Sequence, residues 1–159
     1  MLFTAAAATF FFGASALAAP GYTTGNTGYP AGQAAPASGE DVTIKSFSAH
    51  KVGADGASAG NIDGISFKLT GRDATDLTCL ASFDKVQGLP TDVINCADGK
   101  YRFRVAAGAD SNSFAVTIYH EVGTAAGFSG ESVVPVNCRS GGQDTEVCSQ
   151  VADATFHLA

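Results

Sequence analysis

Three histidines, His50, His120 and His157, are the side chains best suited to moving a proton near neutral pH. None has the company that catalysis needs. His120-Glu121 begins like the zinc-protease motif H-E-x-x-H, but Thr124 stands where the second histidine is required. No G-x-S-x-G elbow is present to raise a serine nucleophile. Asp110-Ser111-Asn112-Ser113 starts like a calcium loop, yet Phe114 replaces the next oxygen ligand, and the closing glutamate is missing. Asp73 and Asp76 are a carboxylate pair of the kind a glycosidase uses. Their setting in GRDATD reads instead as a solvated turn. His120 is in phase with Phe114, Val116 and Ile118, so it is expected inside the fold as a hydrogen-bonded structural residue. His157 is expected on a wet strand face and His50 at a strand end. No catalytic, cofactor or metal site is assigned.

Four cysteines, Cys79, Cys96, Cys138 and Cys148, form an even set. Structural zinc sites expect close pairs such as C-x2-C, and here the gaps are long. Disulfides are the reading that remains, and four cysteines allow three pairings.

One group of cations stands out. Lys100, Arg102 and Arg104 recur at period 2, which puts them on the outward face of one strand. Charge on a strand face deters edge pairing, and that is the simpler reading. The functional reading is a docking strip for an acidic partner or an anionic ligand.

These residues must be carried by strands. Val42 and Ile44 alternate with polar neighbours, as do Ile65, Phe67 and Leu69. Leu77, Cys79, Ala81 and Phe83 share a face. So do Tyr101, Phe103 and Val105, and Phe114, Val116 and Ile118. Ala152, Ala154, Phe156 and Leu158 form the last set. Gly- and Asp-rich clusters separate the windows: GADGASAGNIDG, GRDATD, ADGK, AGADSNS and CRSGGQD. No window of a dozen residues repeats at helical spacing. The expected fold is all-β, a compact antiparallel barrel or sandwich.

The chain has 159 residues, enough for one domain of this kind. Its nine basic and fifteen acidic residues all lie from Glu40 onward and give a net charge of −6. Such a balance argues against nucleic acid, whose phosphates need a basic patch. With no tryptophan, a sugar-binding platform is weakened, leaving only Tyr101 and Tyr119 in the domain.

Residues 1–18 carry no charge and hold the apolar block Ala5 to Phe12, followed by Ala16-Leu17-Ala18. That is the layout of a secretory signal peptide, although Lys and Arg are missing from its start. As a membrane anchor the stretch is borderline, because a spanning helix needs about 20 apolar residues. Residues 19–39 are rich in Gly, Pro and Thr, with no aliphatic side chain larger than alanine, and read as a flexible linker. The β domain is expected over residues 40–159. After cleavage the protein is expected outside the cell, without a membrane contact. An extracellular setting also favours disulfides over free thiols.

The C-terminal third is more specific. Val136-Asn137-Cys138-Arg139-Ser140-Gly141-Gly142, followed by Val147-Cys148-Ser149-Gln150-Val151-Ala152-Asp153-Ala154, resembles the Alternaria alternata allergen 1 family of secreted fungal proteins. Upstream, Ile65-Ser66-Phe67 and Leu77-Thr78-Cys79, then Cys96, fit the family's earlier strand and cysteine pair. The resemblance implies a compact β domain with disulfides Cys79 to Cys96 and Cys138 to Cys148. It implies a protein secreted by a filamentous fungus, without catalytic residues, acting as an allergen, elicitor or effector. Its partners would be host extracellular proteins or a small molecule. The alternative within a barrel is a carrier of a phenolic or lipid ligand, and a cell-wall hydrolase ranks below both. Some members carry an N-terminal cysteine that links a dimer. No cysteine precedes Cys79 here, so a disulfide-linked dimer is excluded and noncovalent association stays open.

Overall fold

The computed structural model describes residues 39–52, 61–82, 84–86 and 88–159, all within the unit Ala34–Ala159. The expected signal peptide, most of the expected linker and Phe83 lie outside the described residues. Those residues form nine strands: β1 (Glu40–Val52), β2 (Asn61–Gly71), β3 (Ala74–Ala81), β4 (Ile94–Asn95), β5 (Tyr101–Ala107), β6 (Ser113–Gly123), β7 (Ala126–Gly142), β8 (Thr145–Gln150) and β9 (Ala154–Leu158).

Every pairing is antiparallel, in the order β3-β2-β1-β8-β7-β6-β5-β4. The two long strands are shared. β1 pairs with β9 over Glu40–Ile44 and with β8 over Ser48–Val52. β7 pairs with β8 beyond Val136, while its Ser129 exchanges two backbone bonds of 3.1 and 3.0 Å with Ala159, next after β9. β8 and β9 therefore fill one gap between β1 and β7. At the opposite seam the Ala97 N–H donates to Thr78 O at 3.0 Å, and Cys79 is bonded to Cys96. The result is a nearly closed antiparallel barrel, the first of the two architectures expected.

Alternation explains the core. Ile65, Phe67 and Leu69, then Tyr101, Phe103 and Val105, then Phe114, Val116 and Ile118 are all buried, as their phase requires. Four phenylalanines from four strands meet inside. Phe47 lies 6.1 Å from Phe67 and 5.4 Å from Phe114, and Phe67 meets Phe103 edge-on at 5.0 Å. Such ring pairs contribute about 0.5–1.5 kcal/mol each beyond their burial.

β1 breaks the simple rule. Ser46 has φ of 53°, and the register with β2 shifts between Lys45 and Ser48. This bulge inserts a residue and moves the inward set from Val42 and Ile44 to Phe47, Ala49 and Lys51. Lys51 is thereby fully buried, its Nζ 3.6 Å from Glu146 Oε2.

Both disulfides join cysteines that are sequential in the chain. Cys79–Cys96 and Cys138–Cys148 close spans of 17 and 10 residues, with Cα atoms 4.2 and 3.9 Å apart. Each contributes roughly 3 kcal/mol in the chain-entropy account. Three smaller expectations are corrected. Gly39, assigned to the linker, is already buried, with φ of 110°. Ala152, placed in the last strand, lies exposed before β9 begins. The turns expected over GRDATD and CRSGGQD shrink to Arg72–Asp73 and Gln143–Asp144, because β2 runs through Gly71, β3 starts at Ala74, β7 runs through Gly142 and β8 starts at Thr145, and the Asn61–Gly64 end of GADGASAGNIDG already belongs to β2.

Candidate functional site

The chemistry-bearing residues gather at the barrel end where β1, β5 and β7 begin and β2, β6 and β9 finish. β1 supplies Glu40, β5 supplies Tyr101 and β6 supplies His120; all three point inward and are buried. The two-residue turn after β2 adds Arg72 and Asp73. Glu40 and His120 are 80 positions apart, yet His120 Nδ1 is hydrogen-bonded to Glu40 Oε1. The Tyr101 hydroxyl donates to both Glu40 oxygens, at 3.3 and 3.1 Å. The Arg72 N–H donates to Glu40 Oε2 at 2.8 Å. A buried carboxylate is costly unless satisfied, and these donors satisfy it.

The other edge of the imidazole, also buried, faces the Arg72–Asp73 turn. His120 Nε2 stands 3.3 Å from Asp73 Oδ2, without a hydrogen bond among the described residues. The Asp73 N–H donates back to the Tyr101 hydroxyl oxygen at 3.2 Å. The Tyr101 and His120 rings stack at 4.0 Å, with planes 12° apart. Burial is the main reason the Tyr101 phenol is pushed up to about 12, with the Glu40 and Asp73 charges adding to it. Arg72 closes the rim: its guanidinium donates to Gly39 O at 2.6 Å and lies 5.7 Å from the Phe128 ring centroid.

His120 is thus the buried, hydrogen-bonded residue that its phase implied. Asp73 is more than a solvated turn former, since it faces the imidazole. Glu40 and Arg72 were missed. Glu40 had a signal: it is in phase with Val42 and Ile44, the inward residues of β1. Arg72 had none. Chemically the cluster sets an imidazole between two carboxylates. The partner of His120 Nδ1 is a carboxylate rather than a nucleophilic hydroxyl. Among the described residues, no three His, Cys, Asp or Glu side chains are arranged to hold a metal ion.

The remaining singled-out residues lie elsewhere. His50 is half-buried near the end of β1 and bonds Asp63. His157 is exposed, 2.9 Å from Asp41 Oδ1. Asp110 accepts from the Ser113 hydroxyl and the Asn112 N–H, an Asx-type turn; these bonds, the hydroxyl first, hold its carboxyl below the usual range.

The cation strip is on the outside of the barrel, as its phase implied, and part of it is already engaged. Arg102 makes an ion pair with Glu121 across the β5–β6 register at 3.1 Å. The Arg104 Nε donates to Thr91 O at 3.2 Å, though the residue stays exposed. Lys100 is exposed one residue before β5. Beside the strip, a cleft of about 480 Å³ lies along the β6–β7 hairpin, lined by residues that include Arg102, Tyr119, Glu121, Phe128 and Ser129.

Comparison with known proteins agrees with this architecture. The family model described as Alternaria alternata allergen 1 matches residues 44–148. The chain is 43% identical, over 98% of its length and 92% of the relative's, to a protein of Verticillium dahliae named effector protein PevD1. Two crystal structures of the Alternaria alternata allergen Alt a 1 superpose with TM-scores of 0.58 and 0.57, at 20% and 21% identity. Each match covers 75% of this chain, and 87% and 92% of the respective allergen chains. At that identity the two structures speak for the fold alone.

Proposed function

The chain belongs to the Alternaria alternata allergen 1 family, and we propose that it is a secreted, non-enzymatic, effector-like protein that acts by binding a host extracellular protein. The observation that carries this reading is the 43% identity, across nearly the whole chain, to a fungal protein named an effector. Secretion accords with the apolar, uncharged residues 1–18 and with two disulfides, which persist in oxidising compartments.

Binding through the surface is favoured over carriage of a small molecule inside the barrel. Phe47, Phe67, Phe103 and Phe114 fill the interior against one another, which leaves recognition to the outside. The proposed docking surface is Lys100, Arg102 and Arg104, a cationic strip on an otherwise acidic domain. Such a strip steers an acidic partner and fixes its register.

The test is a pull-down from plant extracellular fluid, with the chain from Ala19 onward as bait beside a K100A/R102A/R104A variant. A partner held by the native protein and lost by the variant supports both the reading and the strip. A partner held by both keeps the reading and removes the strip. A saturable change in tyrosine fluorescence with phenolics or lipids, and no protein partner, overturns the reading in favour of a ligand carrier.

A further inference from the structure

We infer that Glu121 is a resident competitor on the cationic strip: it occupies Arg102 in place of a carboxylate from an acidic peptide segment of the partner, and it sets how tightly that segment binds. This presupposes the docking strip proposed above and adds the residue that tunes it.

The outer faces of β5 and β6 place the competitor. Register sets Arg102 opposite Tyr119 and Arg104 opposite Thr117. Glu121 follows Tyr119 by two positions, and its N–H donates to Lys100 O at 3.0 Å. Its backbone is therefore level with Lys100, while its carboxylate reaches Arg102, the middle cation. One oxygen accepts from one Nη of Arg102 at 3.1 Å. Arg102 Nε has no hydrogen-bond partner among the described residues. The contact is thus single-point, short of the two-pronged fork that makes arginine–carboxylate pairs strong. Both side chains are substantially exposed, at 42% and 54%. Such a pair exchanges for another carboxylate at little cost.

The rest of the strip is open to an acid. Lys100 is exposed, and its side chain makes no ion pair among the described residues. Arg104 is exposed and commits its Nε to Thr91 O. On the next strand, Glu131 is turned to the Thr117 hydroxyl at 2.9 Å instead of a cation. Of these two glutamates, Glu121 alone is paired with the strip among the described residues.

The spacing favours a peptide as the occupant. A strand advances about 3.3 Å per residue, so the three cations recur about every 7 Å. An extended peptide with acids at alternate positions repeats at the same interval. An acidic sugar is disfavoured, since the chain has no tryptophan and Tyr119 is the aromatic side chain opposite Arg102.

The test is an NMR titration of the chain used as bait with a synthetic peptide of alternating glutamate and serine. The salt is set at about 0.15 M, where exposed charges more than about 8 Å apart are largely screened. The amide signals of Arg102, Arg104, Tyr119 and Glu121 are expected to move. Glu121→Gln should tighten binding about two- to fivefold, the size an exposed ion pair supports. Glu131→Gln makes the same charge change one strand further away and should gain less than about twofold, because of that screening. Added to Arg102→Ala, Glu121→Gln should gain no more than Glu131→Gln does. Equal gains in the two single variants would reduce the effect to net charge and overturn the inference. Tighter binding of an oligogalacturonate of equal charge would overturn the peptide as occupant. Absence of peptide binding to both the native chain and Glu121→Gln overturns the inference too, while the effector reading is decided separately by the pull-down. Binding that is lost in K100A/R102A/R104A yet unchanged in Glu121→Gln overturns the competitor and leaves the strip standing.

Discussion

Tyr101 and His120 stack ring on ring at 4.0 Å, and both engage the one buried carboxylate of Glu40. The tyrosine is in its neutral form there, because burial raises the cost of a phenolate. The strands β5 and β6 place the two rings directly opposite in register, so the stack is a cross-strand pair as well as part of a polar cluster.

The pH dependence of that phenol has a definite sign. In the unfolded chain tyrosine ionises near its ordinary value of 10, and in the folded chain Tyr101 holds its proton to about 12. Between these values the folded state binds the extra proton, so stability falls as pH rises. Stability should therefore be intact below pH 10 and decline between 10 and 12. A spectrophotometric titration at 295 nm should show a step near 12 that is missing in Tyr101→Phe. A single step near 10 would count against the burial.

Gly130 is a second point of sensitivity. It lies on β7 where β9 crosses close, and a Cβ there would meet the backbone oxygen of His157 and come within 3.0 Å of Leu158 Cδ2. Gly130→Ala should separate β7 from β9 and cost about 1–3 kcal/mol, the usual penalty for overpacking. Urea denaturation measures it, and an unchanged midpoint would refute the close approach.

The two disulfides should differ in what they hold. Removing either should cost roughly 3 kcal/mol. Only Cys79–Cys96 spans the seam between β3 and β4, where the Ala97 N–H to Thr78 O bond is the cross-seam backbone bond described. Cys138–Cys148 joins opposite residues of a hairpin that is laddered on both sides. Cys79→Ala/Cys96→Ala should thus expose the Ala97 amide to rapid exchange, and Cys138→Ala/Cys148→Ala should leave it protected.

The strip should be removable without harm to the fold. Arg102 and Glu121 pair with side chains 42% and 54% exposed, a setting in which ion pairs contribute about 0–1 kcal/mol. K100A/R102A/R104A should therefore melt within a few degrees of the native protein. A collapse in melting temperature would make the three residues structural and would void their use in binding tests.

The barrel was legible in the chain to a large extent, and each miss has a local cause. Alternation placed Phe67, Phe103, Val116 and their neighbours inward because a pleated strand turns successive side chains to opposite faces. Phe47 and Lys51 escaped because the bulge at Ser46 reverses the phase midway along β1. β7 escaped because its end, in CRSGGQD, reads as a turn, and because Ala126 to Gly130 is small and polar, with Phe128 as its one large apolar side chain. Such a segment is strand by virtue of its neighbours β6 and β9, not by its own pattern.

By itself the chain determined the inward face of most strands, the residue types at the turns and the family motif around Cys138 and Cys148. Those are local properties, set by side-chain period and by residues within a few positions of one another. The cluster was decided by tertiary structure alone. Glu40, Asp73, Tyr101 and His120 come from four separate stretches, and closure of the barrel brings them to one end. Period tells a strand which face to bury, but not which distant strand will supply the partner. That choice belongs to register, and register is set by the packing of the whole barrel.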